Sequence, residues 1–238
     1  MVSSFFPGLI FVLALWIVKW IEMSSGHLLT NYGVLPRTVE GLKGVITSPF
    51  IHGDIKHLVS NSIPLLILGA GLFYFYKSLA FRVFAGIYIL GGFWLWLGGR
   101  ESYHIGASGL VYGLTAFLFF SGLLRKDTRL MALSLLVVFL YGGMVWGLFP
   151  IFTGVSWEAH LFGSLAGMLF AFAYRKEGPQ RKEYTWEKEP EEDYDDENAY
   201  WKLPESQVQP PAENKTVHIQ YIYKPDSPSK DTGTDEKN

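Results

Sequence analysis

The chain has 238 residues, 49% of them hydrophobic and 16% aromatic, with a formal net charge of −2. It has no cysteine, which excludes disulfides, thiolate metal sites and cysteine nucleophiles. No basic cluster rises above the charges flanking its apolar runs, so a nucleic-acid partner is excluded as well.

The balance of charge hides two unlike parts. Residues 1–175 carry 11 Lys/Arg against 6 Asp/Glu, whereas residues 176–238 carry 9 against 16 and hold most of the prolines. The first part is long enough for several spans of about 20 residues. The second is too polar to bury a core and reads as a disordered tail.

Six apolar runs follow one another, at about residues 5–21, 57–76, 79–97, 108–124, 130–149 and 157–174. Each is close to a bilayer thickness for a helix, which predicts an all-α, six-span membrane bundle. The first lacks the basic start and small-residue cleavage site of a secretory signal. It ends in Trp16, Lys19 and Trp20, as a helix held at the interface does. Between the first two runs, residues 24–56 form a long loop with apolar content, expected to lie in the interface or to pack on the bundle. Lys and Arg favour the side of the membrane that holds both ends of residues 1–175, which predicts cytoplasmic termini. The second, fourth and sixth helices then start at the outer surface, headed by His57 and Asn61, by Ser108, and by His160.

Ser108 stands in Gly106-Ala107-Ser108-Gly109, and His160 in Ala159-His160-Leu161-Phe162-Gly163. Ser108 and Tyr112 share a helix face at i, i+4, with Gly109 and Gly113 beside them. Gly163 and Gly167 follow His160 at three and seven residues, so the fourth and sixth helices can approach backbone to backbone. Serine and glycine also occur at such contacts for packing alone, and a histidine can be structural. An ionisable residue inside a span is nevertheless costly, and points to function. A serine needs a base to take its proton, so the pair reads as a Ser–His dyad with Tyr112 packed on the imidazole. The Ser108 N–H at a helix start, with His57 and Asn61 at i, i+4, forms a candidate oxyanion hole. For His57 and Asn61 the competing reading is interhelical hydrogen bonding.

These motifs, with His57-Leu58-Val59-Ser60-Asn61, resemble the rhomboid family of intramembrane serine proteases over about residues 45–175. The resemblance implies a six-helix core cleaving transmembrane protein substrates near the outer membrane face; separately, a compact core with short loops suits a prokaryotic cytoplasmic membrane. It makes Ser108 the nucleophile, His160 the general base, and His57, Asn61 and the Ser108 N–H the oxyanion hole. Gly106, Gly109, Gly113, Gly163, Gly167 and Tyr112 would support them. The lipid bilayer is the other implied partner, and no cofactor is expected. A Trp-Arg pair found in the first outer loop of some members is missing, and Pro36-Arg37 is the nearest sequence. A catalytically silent relative that binds or escorts membrane clients is the alternative.

Other residues invite different readings. His52, His104, Asp54 and Glu158 near the outer face suggest a metal, but no HExxH or comparable spacing is present. His52 and His104 are instead expected to be solvated loop residues. Gly98-Gly99-Arg100 reads as a turn beside the site, and Trp94, Trp96 and Trp146 as interfacial anchors. In the tail, the acidic block 189–197 reads as a solvated linker. The strand-like Val217-His218-Ile219-Gln220-Tyr221-Ile222-Tyr223 could add to the sheet edge of a protein partner.

Overall fold

A computed structural model describes residues 4–140, 145–152 and 154–178. All regular structure among them is helical, with one isolated antiparallel bridge between Val34 and His104. The helices are α1 (Phe6–Ser25), α2 (Val39–Leu42), α3 (Gly44–Thr47), α4 (Ile55–Phe75), α5 (Ala80–Gly98), α6 (Ser108–Arg125), α7 (Thr128–Leu140) and α8 (Trp157–Ala173). Four of these, α1, α4, α5 and α6, are long and apolar enough to cross a membrane. The tail, with its acidic block and strand-like segment, lies outside the described residues apart from 176–178.

Local chemistry sets the helix ends. Pro7 stands in the first turn of α1, where its missing N–H costs nothing, and Gly26 stops the helix in the left-handed conformation at φ 69°. Asp54 caps α4 by accepting from the His57 N–H at 2.8 Å. The fifth run departs from expectation. It was predicted helical to residue 149, but Trp146–Leu148 is a 3-10 turn and Phe149 is extended. Pro150 explains the change, because a residue before proline is pushed out of the helical region.

Helix α6 is central, packing against α4, α5, α7 and α8, while α1 packs on α4. Leu114, Phe117 and Leu118 of α6 are fully buried, with Leu65, Leu68 and Leu72 of α4 in the same core. Ile10, Trp20 and Phe81 present apolar side chains outward. Exposed apolar helices of this length belong in lipid. At the end away from Ser108, buried Arg125 bonds Ser121 and donates to the Tyr174 and Glu177 carbonyls at 2.6 and 2.7 Å. It thereby ties the ends of α6 and α8 together.

The long loop packs on the bundle, one of the two placements expected of it. Val45 lies over Gly92 of α5, and Tyr88 donates to the Ile46 carbonyl. Arg37 seats the loop without a neighbouring tryptophan in sequence. Its N–H donates to the Trp96 carbonyl at 2.9 Å and its guanidinium to the Gly99 carbonyl at 2.8 Å. Trp96 donates its indole N–H to the Thr38 carbonyl at 2.8 Å, joining α5 to the loop.

Lys19, near the end of α1, is buried, and Glu22 one turn on pairs with it at 2.7 Å. An ammonium in an apolar setting needs such a partner.

Candidate active site

Gly106 takes φ +106°, which turns the chain so that α6 can begin at Ser108. A side chain there would strike the His57 ring at 2.7 Å, so glycine also lets His57 lie against the turn. Ser108, as the first residue of α6, has an N–H without a partner inside the helix. Helix α8 brings His160 alongside by a contact only glycine allows. A Cβ on Gly163 would stand 2.0 Å from the Gly109 carbonyl oxygen, and one on Gly167 would stand 2.0 Å from that of Gly113.

The resulting geometry places the Ser108 hydroxyl 2.8 Å from His160 Nε2. His160 Nδ1 is 2.8 Å from the Gly147 carbonyl. A carbonyl only accepts, so Nδ1–H donates to it, and in the neutral ring Nε2 is left to accept from the serine. The Tyr112 ring stacks on the imidazole at 4.0 Å between centroids and 3° between planes. Hydrogen bond and stacking together fix the ring in two dimensions, with no carboxylate behind it. Glu158 is buried but turns to Arg100, at 3.4 Å, consistent with its offset of two residues from His160.

His57 and Asn61 lie on one face of α4 and line the same cavity as Ser108 and His160, about 730 Å³ in volume. Asn61 Nδ2 is buried and has no hydrogen-bond partner among the described residues. A buried unpaired donor is costly, and a site that receives an oxyanion is one reason to keep it. The competing reading, bonding between helices, finds no such bond for this atom among the described residues.

Two histidines depart from the sequence reading. His52 is 1% and His104 2% exposed, so neither is a solvated loop residue. His104 donates from Nε2 to the Arg100 carbonyl at 3.0 Å, and its Nδ1 meets the Ser156 hydroxyl at 2.6 Å. It therefore joins the loop before α6 to the loop before α8, and Arg100 reinforces the joint by donating to the Val155 carbonyl at 2.7 Å. Burial holds its pKa below the ordinary value. The His52 ring lies edge-on to His57 at 5.0 Å and accepts from the Ala107 N–H at 3.5 Å. Burial, with the charge of His57 beside it, lowers its pKa to about 4 despite the Phe50 carbonyl, so it is neutral at pH 7. Loop composition misled here, because loops folded onto a bundle are interior.

Sequence reasoning missed the Gly147 carbonyl altogether, since a backbone group leaves no mark on residue type. It also missed the Lys19–Glu22 pair, although two opposite charges three residues apart in an apolar run were a visible signal.

The model of the rhomboid domain matches residues 40–177. The chain is 40% identical over 188 residues to uncharacterized protein Mb1372 of Mycobacterium bovis, covering 73% of this chain and 75% of that one. Uncharacterized protein Rv1337 of Mycobacterium tuberculosis matches to the same extent. A Bacillus subtilis protein named "Putative rhomboid protease YdcA" is 31% identical over 177 residues, 70% of this chain and 88% of its own. The family match covers more than half the chain and spans the helices that bear Ser108 and His160, with bacterial relatives throughout. This integral membrane protein therefore belongs to the rhomboid family.

Proposed function

We propose that the protein is an intramembrane serine endopeptidase that cleaves transmembrane protein substrates near the outer membrane face through a Ser108–His160 dyad. The observation that carries this reading is the 2.8 Å contact from the Ser108 hydroxyl to His160 Nε2, in a ring whose Nδ1 is engaged by the Gly147 carbonyl. His160 takes the hydroxyl proton as Ser108 Oγ attacks the substrate carbonyl carbon. The oxyanion turns to Asn61 Nδ2, His57 and the Ser108 N–H, donors in place before charge develops. His160 then returns the proton to the leaving amine, and water entering the cavity hydrolyses the acyl-enzyme. No step calls for a cofactor.

A regular helix hides its peptide bonds in internal hydrogen bonds, so the substrate span must unwind locally to present one. The reading carries six spans, with α7 and α8 crossing in addition to the four longer helices. Both ends of the protease domain, residues 1–175, face the cytoplasm, and the acidic residues 176–238 are available to a protein partner.

Purified protein incubated with a single-span reporter is the direct test. Ser108→Ala and His160→Ala are each expected to lower kcat by at least about 10³-fold while the protein still folds. Cleavage that survives Ser108→Ala would defeat the serine mechanism. Failure of the unaltered protein on a panel of substrates would favour the silent, client-binding relative, and loss only on chelation would favour a metal enzyme.

A further inference from the structure

The turn that delivers Ser108 is held from below by residues 48–53. The Gly106 N–H donates to the Ser48 carbonyl at 2.9 Å, and the Ala107 N–H points to His52 Nε2 at 3.5 Å. The His52 ring also lies edge-on against His57, one of the proposed oxyanion donors. One buried ring therefore touches both the approach to the nucleophile and the group opposite it.

The backbone that carries that ring is held in turn by α1. Lys19 Nζ donates to the His52 carbonyl at 2.8 Å, to the Gly53 carbonyl at 3.2 Å and to Glu22 Oε2 at 2.7 Å, which uses all three ammonium donors. The other Glu22 oxygen accepts from the Leu29 N–H at 3.0 Å. Burying such a pair is expensive, and apolar packing of the same volume would join two helices as well or better. Helix α1 already meets α4 through Gly8 near Leu65 and through the Trp16 indole on Ser62 at 3.1 Å. The charged pair adds what packing cannot, since it satisfies two carbonyls of an irregular turn and so fixes where the His52 ring stands.

We infer that Lys19 and His52 are positioning residues for the Ser108 centre, with His52 setting the Ala107–Ser108 turn and Lys19 setting His52. The inference rests on the reading of Ser108 as nucleophile. A displacement of about 1 Å at a reacting centre costs on the order of 100-fold in rate, so a small loss of register is measurable.

The test uses the full chain in detergent micelles with two readouts. These are steady-state cleavage of a single-span reporter and the labelling rate of Ser108 by a fluorophosphonate. His52→Phe keeps the ring volume and removes the acceptor, whereas His52→Gln restores an acceptor. Lys19→Met with Glu22→Gln removes the ammonium without stranding a buried carboxylate. His52→Phe is expected to lower kcat and labelling about 10- to 100-fold with KM within about twofold, and His52→Gln to recover most of the loss. The double variant is expected to lose about tenfold in kcat with a thermal unfolding midpoint close to that of the unaltered protein.

The inference is overturned by unchanged rates in His52→Phe, by His52→Gln performing no better than His52→Phe, or by losses that only track the folded fraction. Unaltered protein that neither cleaves nor labels would overturn the protease reading and this inference together. An active unaltered protein with an indifferent His52→Phe would overturn this inference alone.

Discussion

The imidazole of His160 is oriented by a backbone carbonyl and a tyrosine face, where a carboxylate would be the more familiar partner. That arrangement suits an apolar surround, because a charge buried beside Ser108 and His160 would need its own compensation. Gly147 then matters at one atom. A Cβ there would stand 2.2 Å from the Tyr112 hydroxyl and 3.1 Å from His160 Nδ1. The tyrosine can yield only by tilting a ring that is stacked on the His160 imidazole. Gly147→Ala is therefore expected to lower kcat by about 10- to 100-fold while thermal unfolding moves little, as measured by reporter cleavage and a melting curve. A melting point that falls in step with activity would make Gly147 a folding residue instead.

Helices α6 and α8 form the contact that brings Ser108 to His160, and glycine makes it. In lipid no hydrophobic force drives two helices together, so close backbone packing must supply the attraction. A Cβ on Gly163 would stand 2.0 Å from a carbonyl oxygen of the backbone, which cannot rotate aside. Gly163→Ala is expected to destabilise the fold by about 1–3 kcal/mol and to part Ser108 from His160, lowering both the unfolding midpoint and kcat. Wild-type behaviour of Gly163→Ala in both measurements would show that the helices are not held this closely. The Gly109, Gly113, Gly163 and Gly167 spacing made this interface legible from sequence. The 3-10 turn at Trp146–Leu148 was hidden, because its flanking residues Val145 and Phe149 are as apolar as those of α7.

For the molecule as a whole, the orientation proposed from Lys and Arg distribution is open to a simple experiment. The chain contains no cysteine, so a single introduced thiol reports its side of the membrane without background. Val39 and Ser78 are both exposed, in the long loop and in the turn between α4 and α5. With cytoplasmic termini, Val39→Cys is expected to react with an impermeant maleimide on intact cells, and Ser78→Cys only after permeabilisation. The reverse pattern would place the Ser108 cavity on the cytoplasmic side. The joint made by Arg37 with Trp96 and Gly99 is a property of the same scale, since it links segments about 60 residues apart in the chain.

The sequence by itself determined the helical class, the apolar runs, the family resemblance and the residues that could carry chemistry. Length, periodicity and the spacing of Ser, His, Asn and Gly are local properties, and each survives in a linear reading. Tertiary structure alone decided what completes the site. The Gly147 carbonyl behind His160, the burial of His52 and His104, the seating of Arg37 and the three-way bond of Lys19 all join segments distant in the chain. A backbone carbonyl has the same identity at every residue, and burial depends on which neighbours arrive. No local pattern encodes either one.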